Sequence, residues 1–242
     1  NLSLYYPWGI DTKEAINIAK RCEQAAFDVD SRISNSEGAN VHISHSHFIA
    51  ASSDGFMAGY PYSNHSISTV PIAGTAANMQ RDYWYTTCRN PNQLKSPEAV
   101  GCYAAQRAIS RLNGQRITTR KCPVLFEAPI AAGLINAFVR AISGGALYRK
   151  STFLLNSLNQ LIFPEHIHLS EEPHLIGAMG SAPFDDEGVR TTPRKVVESG
   201  IVQGYFLSSY SARRLGMQTT GNAGGAHNLI LTSTQTTDQD DD

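Results

Sequence analysis

The longest apolar, helix-favouring run of the chain lies within Lys121–Leu155, which reads KCPVLFEAPIAAGLINAFVRAISGGALYRKSTFLL. Pro129 suits the first turn of a helix, where its missing N–H loses no hydrogen bond. Apolar residues then recur at near-helical spacing as far as a stop at Gly144–Gly145. Because only Asn136 and Arg140 interrupt this apolar surface, the pattern predicts a helix that is buried in a domain core.

Residues before this run predict an antiparallel sheet between two helices. Asp11 and Glu14 have the spacing of a capping box at the start of the first helix. Ser96-Pro97 is typical of the start of the second helix, with Ser as the cap and Pro in the first turn. Between the helices, residues 39–87 are rich in β-forming residues and contain a hairpin turn at Asp54-Gly55.

Residues after the run predict hairpins and turns. The segment Lys195–Leu207 favours a hairpin, Ser211–Leu215 a helical turn, and Thr219–Asn228 is too rich in Gly for regular structure. The sequence therefore predicts an α+β fold of antiparallel sheets with flanking helices in two domains. We assign residues 1–118 to an N-terminal α+β domain and residues 119–242 to the start of a truncated, β-rich C-terminal domain with the buried core helix.

Composition excludes some classes of function. The chain is 41% hydrophobic and 17% charged, as in soluble globular proteins, and its formal charge is -1. This balance gives no electrostatic case for direct nucleic-acid binding. No apolar run approaches the ~18 residues of a membrane span. Four cysteines without a C-x-x-C pair predict reduced thiols in the cytoplasm.

Two groups of histidines invite a metal-site interpretation: His42, His45 and His47, and His166 with His168. In the first group the last two residues share one strand face, and no carboxylate or Cys nearby completes a ligand set, so we interpret them as solvent-facing. The second group shares one strand face and is followed by Glu171 and Glu172, which makes a better metal constellation.

A basic turn follows the Gly-Gly stop. Arg149 and Lys150 lie beside Ser151 and Thr152, and two cations next to hydroxyls can hold a peptide carboxylate or a phosphate. The spacing is not that of a P-loop. A solvated turn after a helix is the structural alternative.

An acidic segment and a glycine-rich segment complete the candidate sites. In Asp185–Arg190 three acids are adjacent without EF-hand spacing, and we expect them to pair with Arg190 or Arg194 in a tight turn. In the segment around Gly224, glycines allow a substrate backbone to approach closely. We predict peptide contacts there, with a structural loop as the alternative. The candidate substrate-binding residues of the chain are Arg149, Lys150, Gly224, His227 and Asn228.

Three segments carry a resemblance to a known family: GLINAFVRAISGGALYRKSTFL (133–154), SAPFDDEGVRTTPRKVVESGIVQGYFLSSYSARRLGM (181–217) and TTGNAGGAHN (219–228). They resemble the PmbA/TldE branch of the TldD/PmbA family, which is also called the modulator of DNA gyrase family. The resemblance extends from Asp11 to about Asn228. Chains of that family continue beyond both ends of this sequence, so the resemblance implies a fragment.

The resemblance also bears on metal binding. In the TldD branch the core helix carries a zinc motif, H-E-x-x-x-H, in which two His face the metal and the Glu is the general base. The three functional positions of this motif align with Asn136, Ala137 and Ala141, none of which is the required residue. The resemblance therefore implies no catalytic residue and no metal in this chain, with zinc in a TldD-like partner.

A functional hypothesis follows from the resemblance. It implies a cytoplasmic, heteromeric zinc metalloprotease that degrades or matures unfolded peptides, including a microcin precursor and an antitoxin. This chain would be the supporting subunit that forms part of a substrate channel. In the absence of the partner, it would form a homodimer. One alternative is a regulatory modulator of DNA gyrase without a protease role, although the small net charge disfavours direct DNA contact. Another is an autonomous peptidase with its site at His166 and His168.

Overall fold

A computed structural model describes residues 2–235, so the acidic residues at the end of the chain lie outside the described residues. The chain divides into two compact units. Of the described residues, the first unit contains 3–48 and 60–121, and the second contains Leu2, 49–59 and 122–235. The domain boundary that we placed after residue 118 stays a prediction. None of the helices within residues 2–235 is long and apolar enough to cross a membrane.

The amino-terminal half of the chain contains one four-stranded sheet and two helices. In order, its elements are α1 (Thr12–Val29), β1 (Ile33–Ala51), β2 (Met57–Ala73), β3 (Gln80–Arg81), β4 (Trp84–Cys88) and α2 (Pro97–Ser110). Strand β2 is hydrogen-bonded to each of the other three strands. The predicted capping box is confirmed, since the Asp11 side chain accepts from the Glu14 N–H at 2.8 Å and the Glu14 side chain accepts from the Asp11 N–H at 3.1 Å. The predicted cap at Ser96 is confirmed as well, with a hydrogen bond from the Ala99 N–H.

Helices α1 and α2 pack closely because a glycine lies at their contact. A Cβ on Gly101 would lie 2.1 Å from the Cys22 carbonyl oxygen, so no larger residue fits without a shift of the backbone. Cys22, Ile67 and Val100 form one buried cluster of this unit. Burial raises the pKa of the Cys22 thiol to about 12, with a smaller contribution from the negative charge of Glu98, so this cysteine is a packed core residue rather than a reactive thiol.

The second unit contains a second antiparallel sheet and three helices. Its elements after residue 122 are α3 (Ala128–Ala141), α4 (Gly144–Tyr148), β5 (Ile167–Glu171), β6 (Arg194–Glu198), β7 (Ile201–Val202), α5 (Ser209–Leu215) and β8 (Leu229–Ser233). The strand order is β7-β6-β5-β8. The hairpin predicted within Lys195–Leu207 is confirmed, since β6 and β7 are joined at Ser199 and Gly200. Helices and antiparallel sheets in both units confirm the α+β class.

The prediction that the core helix is buried is wrong for most of its length. Helix α3 forms where the sequence predicts it, but Phe138 is its one buried residue, whereas Ile130 and Leu134 are 54% and 52% exposed. Phe138 packs edge-to-face on Phe163, with ring centroids 4.8 Å apart. Only the carboxyl-terminal turns of the helix reach the core of this unit. An apolar surface permits burial, but the described residues supply no cover for the first turns.

A matched pair of substitutions on α3 tests this arrangement. Phe138→Ala should lower the free energy of unfolding by about 3–5 kcal/mol, because it removes a buried ring and leaves a cavity. Leu134→Ala should lower it by less than ~1 kcal/mol, because the leucine is half exposed. Urea unfolding followed by circular dichroism measures both values. Equal losses in the two variants would contradict the exposure of the first turns.

Candidate functional site

The glycine-rich loop, defined as Thr219–Asn228, connects α5 to β8 without regular structure. Gly224 and Gly225 have φ angles of +95° and +126°, a region that residues with a Cβ rarely adopt. A loop of this kind keeps one conformation only if other residues hold it. Three side chains that help to hold it, called anchors below, are Glu171, Asp185 and Asn228.

Glu171 is the central anchor. It is 1% exposed, at the end of β5, directly opposite Arg194 on β6. Its Oε2 accepts from Arg194 Nε at 2.7 Å, and its Oε1 accepts from Asn222 Nδ2 at 2.7 Å and from the His227 N–H at 2.8 Å. His227 Nδ1 lies 3.0 Å from the same oxygen. One buried carboxylate therefore joins two strands to both ends of the loop.

The charge of Glu171 is stabilised in this environment. Burial alone would raise the pKa of its carboxyl group, but the hydrogen bonds from His227 and the positive charge of Arg194 outweigh burial and lower that pKa. Arg194 is in turn held by the ring of Phe206, 4.7 Å from its guanidinium carbon, and by Asn222 Oδ1 at 3.2 Å. The ion pair is thus buried, hydrogen-bonded and fixed in orientation.

Asp185 is the second anchor, and it corrects the expected pairing of the acidic segment. Asp185 is 3% exposed and accepts hydrogen bonds at 2.9 Å from the main-chain N–H groups of Glu187, Val189 and Ala223. The first two bonds form the tight turn that the sequence predicts, and the third reaches the loop. Its partners are amides rather than Arg190 or Arg194, because the turn brings N–H groups closer than any guanidinium, and Arg194 pairs with Glu171 instead.

Asn228 is the third anchor. Its Oδ1 accepts from the Gly180 N–H at 2.8 Å, and its Nδ2 donates to the Glu172 carbonyl at 2.7 Å and to Ser181 Oγ at 2.8 Å. The side chains of both His227 and Asn228 are therefore occupied by contacts within the protein. Their contact with a substrate stays a prediction.

A cleft of about 440 Å³ lies between the loop and the helices α3 and α4. Its lining includes Arg140, Tyr148, Tyr210, Ala223, Gly224 and Gly225. Among the hydrogen bonds of residues 2–235, none uses the N–H or the C=O of Gly224. The cleft therefore offers a main-chain donor and acceptor at one residue, held in place by the three anchors. A peptide in extended conformation uses groups of this kind.

The two predicted basic residues lie differently with respect to this cleft. Arg149 is exposed, and its Nη1 donates to the Tyr148 hydroxyl oxygen at 3.2 Å, beside the cleft wall. Lys150 is exposed with φ +56° and is not part of the lining. Arg149 does not line the cleft either, but it contacts Tyr148, which does, whereas Gly224 is part of the lining. The contact of Arg149, Lys150 and Gly224 with a substrate stays a prediction.

Neither histidine group forms a metal-ligand set. His45 Nε2 accepts from the Trp8 N–H at 3.2 Å, and His168 Nδ1 accepts from the Ser199 N–H at 3.3 Å. Within residues 2–235 no three side chains of His, Cys, Asp or Glu are grouped so that they could hold a metal ion.

The aligned positions of the zinc motif do not fit zinc either. Asn136 lines an apolar groove of about 320 Å³ between α3 and the strands β5 and β8, where its neighbours include Ala128, Leu169 and Leu231. An amide is a poor zinc ligand, and the methyl groups of Ala137 and Ala141 cannot coordinate a metal.

Comparison with known proteins identifies the family. Residues 5–112 match the model of the PmbA/TldA metallopeptidase central domain, and residues 119–241 match that of the C-terminal domain. The chain belongs to this family. The membership that the three sequence segments indicated is thereby confirmed.

Relatives of known name agree with this assignment. The chain is 44% identical over 228 residues to Metalloprotease PmbA of Escherichia coli O157:H7, covering 94% of this chain and 51% of that protein. It is 43% identical over 231 residues to a Metalloprotease PmbA homolog of Haemophilus influenzae, covering 96% of this chain and 51% of the relative. The chain therefore spans about half the length of the curated relatives it matches.

Solved structures share the fold. A protein of Bacteroides thetaiotaomicron, named as a proposed modulator of DNA gyrase, superposes with a TM-score of 0.89 at 26% identity, over 96% of this chain and 53% of its own. TldE of Thermococcus kodakarensis superposes with a TM-score of 0.72 at 18% identity, over 96% of this chain and 57% of its own. The second likeness shows the fold alone.

Sequence reasoning missed the central anchor of the loop, which is Glu171 with its partners Arg194 and Asn222. From the sequence, Glu171 was considered only as a metal ligand, and Arg194 only as a partner of the acidic turn. Asn222 was not singled out. A signal was available, because an acid at the end of an apolar strand needs a buried partner. The sequence did not indicate which of the basic residues that partner is.

Glu171→Gln tests the central anchor. It should lower the free energy of unfolding at pH 7 by about 3 kcal/mol or more, because it leaves Arg194 buried without its counter-ion. Because the folded-state pKa of Glu171 is lowered, its stabilisation is complete above the unfolded pKa, ~4.3, and is lost as the pH falls through the folded value. The stability difference between wild type and variant should therefore shrink below about pH 4. A difference that does not depend on pH would contradict a charged Glu171.

Proposed function

We propose that this chain acts as the supporting, peptide-binding subunit of a cytoplasmic heteromeric metalloprotease, and that a TldD-like partner supplies the zinc and the general base. The observation that carries the proposal is the donor set on α3, where Asn136, Ala137 and Ala141 occupy the aligned metal positions and cannot hold zinc. Family membership supports a role in peptide hydrolysis. The free thiols of all four cysteines are compatible with the cytoplasm.

The anchored loop suits an unfolded peptide. The N–H and C=O of Gly224 can pair with the main chain of an extended substrate, and main-chain hydrogen bonds do not depend on the substrate's side chains. Since Glu171 and Asp185 hold the loop before any peptide arrives, binding costs less ordering of the protein. This chain would therefore position a peptide, and the chemical step would occur on the partner.

Reconstitution tests the proposal. The chain is co-expressed with a TldD-like subunit, and cleavage of an unfolded peptide and bound zinc are measured for the complex and for each subunit alone. We expect cleavage by the complex, and no stoichiometric zinc in this chain by itself, because its aligned positions carry no ligand. Zinc-dependent cleavage by this chain alone would refute the supporting role. A change in gyrase supercoiling activity without any peptide cleavage would favour the modulator alternative, with which the name of the Bacteroides thetaiotaomicron neighbour agrees.

Two adjacent glycines provide a matched test of the loop. A Cβ on Gly224 would lie 2.4 Å from Asp186 Oδ2, whereas a Cβ on Gly225 would meet nothing within 4 Å. Both sites have positive φ, so Gly224→Ala and Gly225→Ala should each lower stability by about 1 kcal/mol or more through backbone strain. Only Gly224→Ala should slow peptide cleavage by the complex at equal folded protein. Equal cleavage by the two variants would show that the loop is structural only.

A further inference from the structure

A group of cations lies around Tyr148 in one wall of the cleft, and the proposed role of the loop does not use them. The guanidinium carbon of Arg149 lies 5.3 Å from the centroid of the Tyr148 ring, and that of Arg214 lies 6.0 Å from it. The ring of Tyr210 meets Tyr148 edge-on at 5.7 Å. Gly145 lines the cleft next to this group, and a Cβ there would lie 3.4 Å from the Arg149 guanidinium, so Arg149 rests against the cleft wall.

Among the described residues 2–235, these cations have no counter-ion. No Asp or Glu oxygen of residues 2–235 forms a salt bridge with Arg140, Arg149 or Arg214. The acids of the neighbouring turn face other groups: Asp185 accepts from three amides, Glu187 accepts from the Ser209 N–H, and Asp186 lies beside Gly224. The wall formed by Tyr148 is therefore positive and is open to an anion from solution.

The opposite wall of the cleft, which the glycine-rich loop forms, restricts the chemical class of the ligand that carries the anion. Gly224 presents a free acceptor as well as a free donor, so the preferred ligand has an N–H of its own. A phosphate ion has no N–H to donate to the Gly224 carbonyl, whereas a peptide has both N–H and C=O groups along its main chain. The planar fork of a guanidinium matches a carboxylate. The exposed ring of Tyr210 offers apolar surface to a neighbouring side chain of the ligand.

We infer that this wall binds the C-terminal carboxylate of an extended peptide, so that the cleft selects peptides by their carboxyl end. Arg149 receives the carboxylate together with the Tyr148 hydroxyl, Arg140 adds a second positive charge at the cleft, and the peptide main chain continues along Gly224. The inference rests on the proposed peptide-binding role and adds to it the class of peptide that binds. It makes Arg149 a residue that determines specificity.

Direct binding tests the inference without any cleavage step. A fluorescent, unstructured peptide is prepared with a free C-terminal carboxylate, as its C-terminal amide, and as an amide that contains one internal Glu. Fluorescence anisotropy with the 242-residue chain gives the dissociation constants. We expect the free acid to bind about tenfold or more tightly than either amide, because a charge-assisted pair is lost.

Arginine variants locate the contact. Arg149→Gln should weaken binding of the acid about tenfold and leave binding of the amide unchanged, which also shows that the variant is folded. Arg140→Gln should weaken acid binding in the same direction. Arg213→Gln is the matched control, because it removes one positive charge from α5 at a residue that neither lines the cleft nor lies at the Tyr148 ring, and it should change neither affinity.

Several results would overturn the inference. Equal binding of acid and amide by the wild-type chain would remove the carboxylate subsite, and tight binding of the Glu-containing amide would assign it to side-chain carboxylates instead. If inorganic phosphate displaces the acid peptide and the acid–amide difference is absent, the wall is a general anion site. Peptide cleavage by the reconstituted complex with no preference for the free acid would leave the proposed function intact while refuting this inference.

Discussion

The buried carboxylate of Glu171 is the group on which the arrangement of the second unit depends. An isolated charge at 1% exposure would destabilise the fold by several kcal/mol. Here one carboxylate oxygen pairs with Arg194, and three nitrogen atoms of the loop lie within hydrogen-bond distance of the other oxygen. Both oxygens of the charged group therefore have partners. If either Arg194 or the loop moved away, the folded state would contain a buried carboxylate that lacks part of its hydrogen bonds. This makes the conformation of the loop cooperative with the pairing of β5 and β6.

A rigid loop is what a sequence-tolerant binding site requires. Regular strands present unpaired main-chain groups only at sheet edges, where they also promote association between copies. The glycine-rich loop presents the N–H and C=O of Gly224 in a cleft instead, away from a long edge. Glycine would normally give such a segment many conformations. Glu171 and Asp185 from outside the loop, and Asn228 at its end, reduce that freedom, so the glycines leave the main chain accessible while the loop keeps one conformation.

The sequence was informative where the deciding interaction is local. The caps at Asp11 and Ser96 join residues three positions apart, and the β6–β7 turn lies within two residues, so these features were predicted and are confirmed. Helix α3 was placed well, but its burial depends on whether distant residues cover it, and the pattern cannot contain that information. The ion pair of Glu171 joins residues 23 positions apart, and its alternatives were equally plausible from spacing.

The register of the second sheet explains why the loop anchor lies where it does. Strand β5 lies between β6 and β8, and Glu171 is opposite Arg194 on one side and opposite Leu229, the residue after Asn228, on the other. Alternate residues of a strand point to opposite faces, so a slip of one residue would turn Glu171 away from the loop and place a neighbour in its position. The hydrogen bonds of the loop therefore favour the same register as the apolar contacts of Leu169, which is buried in the core of this unit. Strand β5 therefore determines both the fold of the second sheet and the shape of the cleft. A substitution that destabilises the register of β5 should disturb the sheet and the cleft together.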